Sequence, residues 1–486
     1  MKTAIDQPKR SATYLSTSTL ILLAFGSAFF PRILDALGAP SVVNFVHLFV
    51  VPVACGFALF QTRTKDRRQI RMTQTLLTGL CIFFAVILAS AIVNNAGIIN
   101  AFLEFLLFTE PFILLLAIVC IPMSAASSER VTKWLIYFGF ANLALGLGQY
   151  VLQVAGIIGD NPDFIKGVFL GQGAGHVVGA SVALTFGAYY LLSAHTVPIW
   201  LRLVVFLANF WQMLVADAKQ VILVFLVAGV LLLFTKFKDI GEAIKYLAIA
   251  VVVGFIFYWC TQNVPAFAAF NTWARPEIYG SDGEATLLKT AAFRVVPSYF
   301  ESPLNWVVGL GPGHTVGRLG GWFLREYSDL LMPLGATVHP ASQAVWSATA
   351  ASWLGDQSSM FSPFFGWAAI WGDLGYAGLI AYTYLWVIVW RYLCPTDFSK
   401  FLVLTVWVFG LIFTQMEEPG YMLFLVVVLG MEWQSRHARS LNRVPDAVAV
   451  NGYQPDLPPA AAQRNGKRPT FDSYGRRSQS HPNRFR

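Results

Sequence analysis

The sequence predicts an all-α polytopic membrane protein, with about twelve transmembrane helices and one large extracytoplasmic loop between the ninth and the tenth. Three observations carry this. Of the 486 residues, 56% are hydrophobic and only 12% are charged, about half the charge of an average soluble domain. The apolar runs repeatedly approach the roughly 20 residues a helix needs to cross hydrocarbon, and they lack the period-2 alternation of a membrane barrel. Lysine and arginine concentrate in every second short loop, the asymmetry that sets orientation.

Spans are expected near residues 14–31, 40–61, 73–93, 98–124, 134–158, 177–194, 200–216, 220–235, 245–264, 364–390, 399–415 and 420–434. The seventh is the most interrupted, by Arg202, Asn209, Gln212 and Asp217. The chain therefore divides into a cytoplasmic N-terminus (1–13), nine spans (14–264), the large outer loop (265–362), three spans (363–434) and a basic tail (435–486).

The positive loops hold Lys2, Lys9 and Arg10; Arg63, Lys65, Arg67, Arg68 and Arg71; Arg130 and Lys133; Lys236 and Lys238; Arg391 and Lys400. The opposite set is nearly free of them: Asn94-Asn95 has none and Glu417-Glu418 is acidic. Both termini are thus expected in the cytoplasm and the long loop outside. The first apolar run reaches Pro31-Arg32 with no small-residue cleavage site, so it reads as a retained span rather than a signal peptide. None of the five cysteines lies in the outer loop, which is therefore not stapled by disulfides.

The formal net charge of +8 is mostly a property of the tail, where arginines and lysines alternate with Pro, Gly, Ser, Asn and Gln. Such a segment cannot bury enough surface to fold. It reads as a solvated tail, with attachment to anionic inner-leaflet lipid as the sharper alternative. Nucleic-acid binding is not expected, because nothing folded presents the charges.

Within the long loop, Leu287, Leu288, Ala291, Ala292 and Val295 form one apolar stripe, so Ala285–Phe300 is expected to be helical and to end at Pro297 or Pro303. Arg294 lies on it. The run Gly309-Leu-Gly311-Pro-Gly313 follows; glycine at this density lets backbone approach a ligand or point amides at an anion, and equally suits a surface turn. It is no nucleotide loop, lacking the G-x-x-x-x-G-K-[ST] pattern. Charges inside spans each cost a few kcal/mol unless partnered. Asp217 and Lys219 fall where two spans meet at the outer face, either as a simple turn or with Lys219 lining a groove for an anionic headgroup. Glu104 and Glu110, six residues apart, point to different faces and suit helix packing better than paired acid–base chemistry. Glu417 and Glu418 read as solvated charges of an outer turn.

The order of these features resembles the O-antigen ligase and polysaccharide polymerase superfamily of polytopic envelope glycosyltransferases: a basic residue in a short outer turn, a large late loop, an arginine ahead of G-x-G-x-G, then an acidic-x-Gly-x-x-Gly helix. The topology matches over most of the chain, specific residues only between about Asp217 and Leu385. The resemblance implies a multi-pass bacterial inner-membrane enzyme that moves an oligosaccharide from a polyprenyl-pyrophosphate carrier to an acceptor glycan or lipid. Neither metal nor cofactor is implied. It assigns pyrophosphate binding to Arg294 and Lys219, the latter where the family more often has Ser-Arg. Its glycine turn matches Gly309, Gly311 and Gly313; its Glu-x-Gly-x-x-Gly matches Asp373, Gly375 and Gly378, with Asp in place of Glu. The family's His-Asn is absent: the corresponding stretch reads Ser358-Ser359-Met-Phe-Ser362. His339, His314 and Glu301, or Asp356, remain alternatives for the base that activates the acceptor hydroxyl.

That chemistry suits the residue types. Expelling a pyrophosphate from an anomeric carbon is helped by fixed cations, and the attacking hydroxyl needs a proton acceptor within about 3 Å. Trp273, Tyr279, Trp306, Trp322, Tyr327, Trp346 and Trp353 offer rings to sugar faces, or form an interfacial belt. The competing readings are a secondary transporter, against which the lack of an internal repeat counts, and a non-catalytic polysaccharide-assembly scaffold.

Overall fold

Side-chain caps set several of the helix starts. Ser16 accepts the Thr19 N–H ahead of α1 (Thr17–Phe29), and Asp66 accepts the Arg68 N–H ahead of α3 (Arg67–Val93). In this computed structural model the described residues are 15–442, apart from 172, 237–239, 274, 356–360 and 362–364. The expected N-terminus (1–13), most of the basic tail (435–486), and Asp356, Ser358, Ser359 and Ser362 therefore lie outside the described residues. Between α1 and α3 runs α2 (Val46–Gln61); α4 (Ile98–Cys120), α5 (Ala125–Val154), α6 (Gly175–Ser193), α7 (Ile199–Val215), α8 (Lys219–Phe234) and α9 (Ile240–Asn263) follow. After a long insertion come α10 (Phe365–Ile388), α11 (Asp397–Phe409) and α12 (Pro419–Asn442).

Among the described residues there is no β-strand. Each expected span falls on one of these helices, and seven are long and apolar enough to cross a membrane. A membrane-embedded helical protein is what these helices indicate.

Burial separates the centre from the rim. Every residue from Tyr421 to Leu429 of α12 is at most 1% exposed; a helix apolar on all sides belongs in the middle of a bundle. Helices α4, α6 and α10 are also largely buried, whereas the apolar window of α9 is nearly all exposed. Helix α3 packs on α4 and α10, α1 on α2, α6 on α7, and α8 on α11. Phe25, Phe29, Phe138 and Phe424 form an aromatic knot between α1, α5 and α12. A buried hydrogen bond between His47 Nδ1 and the Glu110 carboxyl, 2.8 Å long, ties α2 to α4, a packing contact for Glu110.

The described residues of 265–355 form short helices and turns that cap one end of the bundle. The expected single helix over 285–300 is instead three pieces: Glu284–Lys289, Ala291–Val295 and the 3-10 turn Val296–Tyr299. The first break comes at Thr290, whose hydroxyl bonds back to Thr286 O; the apolar stripe survives it, with Leu288, Ala291 and Ala292 buried. The cap is fastened by polar groups on the bundle. Asn100 of α4 donates to Pro312 O and Thr337 O, each at 2.9 Å, and accepts the Thr337 N–H at 3.0 Å.

Candidate functional site

The glycine run meets α10, and α10 is broken where it does. Gly375 has φ 62° and ψ −160°, so the helix is two halves. Leu310 N–H donates to Gly372 O at 2.8 Å and Gly311 N–H to Asp373 O at 3.0 Å. A Cβ on Gly309 would sit 2.3 Å from the Asp373 carbonyl carbon, and one on Gly375 would sit 2.4 Å from that of Val307. Both also have positive φ, so glycine is required twice over. The close approach these glycines allow is thus to the protein's own helix. Their amides do point at an anion: Gly313 N–H and Thr315 N–H donate to the Asp373 carboxylate at 3.1 and 2.7 Å. Asp373, wholly buried, is a clamp between cap and bundle. Glu104 of α4, also wholly buried, faces Asp373 and Glu417.

Beside this junction lies an arginine pair that sequence reasoning passed over. Arg318, 7% exposed, donates from Nη1 to Glu417 O at 2.8 Å and reaches Glu418 Oε2 at 3.1 Å; its backbone N–H donates to Glu417 Oε2 at 2.7 Å. Arg32, in the short helix Pro31–Ala36 after α1, reaches the other oxygen of Glu418 at 3.2 Å. One carboxylate thus bridges two guanidinium groups from distant parts of the chain. The reading of Glu417 and Glu418 as solvated charges is corrected: the α11–α12 turn folds inward to meet Arg318, leaving them 1% and 8% exposed. Burial pushes the Glu417 carboxyl up to about 8, against the pull of Arg318.

Arg32, Arg318 and Glu418 line a cavity of about 300 Å³, walled by Trp322, Trp346 and Phe413. Ala174, the N-cap of α6, and Val177 and Val178 of its first turn also line it. A second cavity of about 480 Å³ shares Gly321 and Trp346 with the first and is lined by Arg325, His339 and Gln343. Both volumes suit a small ligand.

The sequence-derived candidates are spread unevenly around these cavities. His339 lines the second cavity, and its Nδ1 accepts the Ala341 N–H at 3.1 Å, so the neutral ring carries its proton on Nε2. His314 stacks on it, centroids 5.4 Å apart, and is buried, with Nδ1 on Leu310 O and Nε2 on the Thr337 hydroxyl. Burial lowers both imidazoles and favours their neutral forms. Glu301 is exposed, close enough for its charge to act on His339. Arg294 is exposed and lines neither cavity; its Nη2 donates to Leu287 O at 2.7 Å and its Nε to the Thr290 hydroxyl at 3.3 Å. Lys219, the first residue of α8, pairs with Asp217 and likewise lines neither cavity. Gly313 lines the second cavity, while Gly309, Gly311 and Asp373 form the clamp. No group of His, Cys, Asp and Glu able to hold a metal ion occurs among the described residues.

Arg318 and Arg32 could have been noticed in sequence only as cations next to apolar spans. Their shared partner Glu418 lies 386 positions from Arg32, beyond any local pattern. No protein-family model matches the chain, and no curated protein matches it.

Proposed function

We propose that the chain is a glycosyltransferase of the membrane's outer face. It moves an oligosaccharide from a polyprenyl-pyrophosphate carrier to an acceptor glycan or lipid, as a polymerase or a ligase of exopolysaccharide, capsule or O-antigen. In this reading the twelve long helices all span the bacterial inner membrane, both termini are cytoplasmic and the 265–362 segment faces outward. The observation that carries it is the convergence of Arg32 and Arg318 on Glu418 inside one aromatic-walled cavity. Two guanidinium groups beside the N-terminal turn of a long helix suit a diphosphate, because forked donors and the helix dipole all favour that anion.

The acceptor oxygen bonds to the anomeric carbon as that carbon's bond to the phosphate oxygen breaks. The electron pair leaves with the polyprenyl diphosphate, where the two arginines stabilise the developing charge. In binding the diphosphate they exchange Glu418 for it, and the released carboxylate takes the acceptor proton. His339, whose Nδ1 is already occupied, offers an N–H donor and so orients a sugar hydroxyl. Glu301 remains the alternative base, Arg294 and Lys219 second-rank contacts to the carrier.

A transporter is the second reading, favoured by one observation: α10 breaks at Gly375 next to the buried carboxyls Glu104, Asp373 and Glu417. Discontinuous helices and buried acids are how transporters hold coupling ions. Deleting the protein separates the two. The enzyme leaves polyprenyl-pyrophosphate oligosaccharide unconsumed and the surface glycan short or missing. Normal surface glycan alongside a defect in solute flux would reject it.

A further inference from the structure

The second cavity differs from the first in one chemical respect: its arginine has no acid. Arg325 is exposed, with its guanidinium 5.2 Å from the Trp346 ring centroid, and no described carboxylate lies within ion-pair distance of it. Arg32 and Arg318, by contrast, already share Glu418. The other polar groups on this wall are mainly donors or already engaged. His339 presents its Nε2–H, the exposed Gln343 carries an amide, and the Ser342 hydroxyl donates to Gly320 O at 3.0 Å. An indole wall, a forked cation and neutral donors around about 480 Å³ make a site for a ring-shaped, hydroxylated, negatively charged molecule.

We propose that this cavity is a saccharide subsite selecting a carboxylate-bearing sugar: Arg325 takes the carboxylate as a fork and the Trp346 indole takes the sugar's apolar face. The assignment as the acceptor subsite rests on the glycosyltransferase reading, because the two cavities share the wall formed by Gly321 and Trp346. A Cβ on Gly321 would sit 2.8 Å from Trp346 Nε1, so glycine here sets how close that indole stands to the short helical segment carrying Arg318 and Arg325. A sugar held on Trp346 in the second cavity is thereby placed beside the end of the diphosphate cavity where the donor sugar would lie.

The test uses the full chain in nanodiscs of uncharged lipid, titrated with β-1,4-linked triglucuronate and with cellotriose, its neutral counterpart. Triglucuronate is expected to bind at least about tenfold more tightly, the worth of one charge-assisted contact, and to lose that advantage in high salt. Arg325→Gln should erase the preference while cellotriose affinity stays unchanged, Arg325→Lys should keep part of it, and Arg318→Gln should leave it intact. Equal affinity for the two sugars, no binding of either, or a preference untouched by Arg325→Gln would overturn the proposal. Displacement of triglucuronate by inorganic diphosphate at similar concentration would overturn it too, by showing a general anion site. Uronate selectivity through Arg325 in a chain that consumes no lipid-linked donor would sink the enzyme reading alone. Donor consumption without uronate selectivity would sink this inference alone.

Discussion

The Thr315 backbone N–H donates to Asp373 Oδ1 at 2.7 Å, so the cap grips α10 two residues before the Gly375 break. Gly313 grips the other oxygen. Both acceptors belong to one buried carboxylate, which makes Asp373, together with Asn100 on α4, a joint between the glycine run and the bundle.

Asp373→Asn tests the joint. An amide retains one acceptor and presents its NH2 group to the other backbone N–H, leaving a buried donor facing a donor. A lost buried partner costs about 1–3 kcal/mol, so the midpoint of thermal unfolding in detergent should fall by several degrees. Asp373→Glu should not rescue it, because the longer side chain overshoots a site closed by the Gly309 and Gly311 contacts. An unchanged midpoint in Asp373→Asn would show that the two amides find other partners.

The helices were legible in the sequence because apolar length is a local property, and the break at Gly375 was not, because an acidic-x-Gly pattern suits a helix as well as an interruption. What interrupts it is the Gly309 backbone arriving from the cap, a tertiary contact. The site divided in the same way. His339 and the glycine run stand out as residue types, and both lie at or beside the cavities. Arg318 and Glu418 did not, since a charge at the end of an apolar run looks solvated until the turn carrying it is seen to fold inward. Arg294 stands out in sequence for its position on an apolar stripe; in the fold its guanidinium donates to Leu287 O and to the Thr290 hydroxyl and lines neither cavity.

Sidedness is checked with single cysteines. In a background without the native five, Ser281→Cys in the cap should react with an impermeant thiol reagent in intact cells, and Ser480→Cys near the C-terminus should react only after lysis. The opposite pattern would put the arginine cavity on the cytoplasmic face and remove the proposed donor from reach.

Glu417 predicts a pH dependence with a definite sign. Burial raises its carboxyl to about 8, above the ordinary glutamate value near 4.3. The folded state therefore holds a proton that the unfolded chain has released, and stability is full below the ordinary value and declines as pH rises toward 8. The unfolding midpoint of the wild type should fall over that window. Glu417→Gln, which cannot ionise, should flatten the decline. An equally steep profile in Glu417→Gln would assign the dependence to another group.

Arg318 carries the most decisive prediction. Arg318→Ala should remove a charge-assisted contact worth about 1.5–3 kcal/mol to the diphosphate, and activity per folded molecule should drop at least about tenfold. Arg318→Lys should recover a fraction, since a point charge replaces a fork. Arg294→Ala and Lys219→Ala should fall less, because neither residue lines the cavity. The rival explanation is that Arg318 only neutralises Glu418, in which case the truncation harms folding by stranding buried charge. The double variant Arg318→Gln with Glu418→Gln separates them, since it removes the stranded carboxylate of Glu418 together with its partner. Recovery of stability without activity supports a catalytic role for the Arg318–Glu418 pair, and reduced activity per folded molecule in Arg318→Lys, which keeps the Glu418 base, assigns a share of it to Arg318. Recovery of both would reduce Arg318 to a packing residue, and the diphosphate would have to be sought elsewhere.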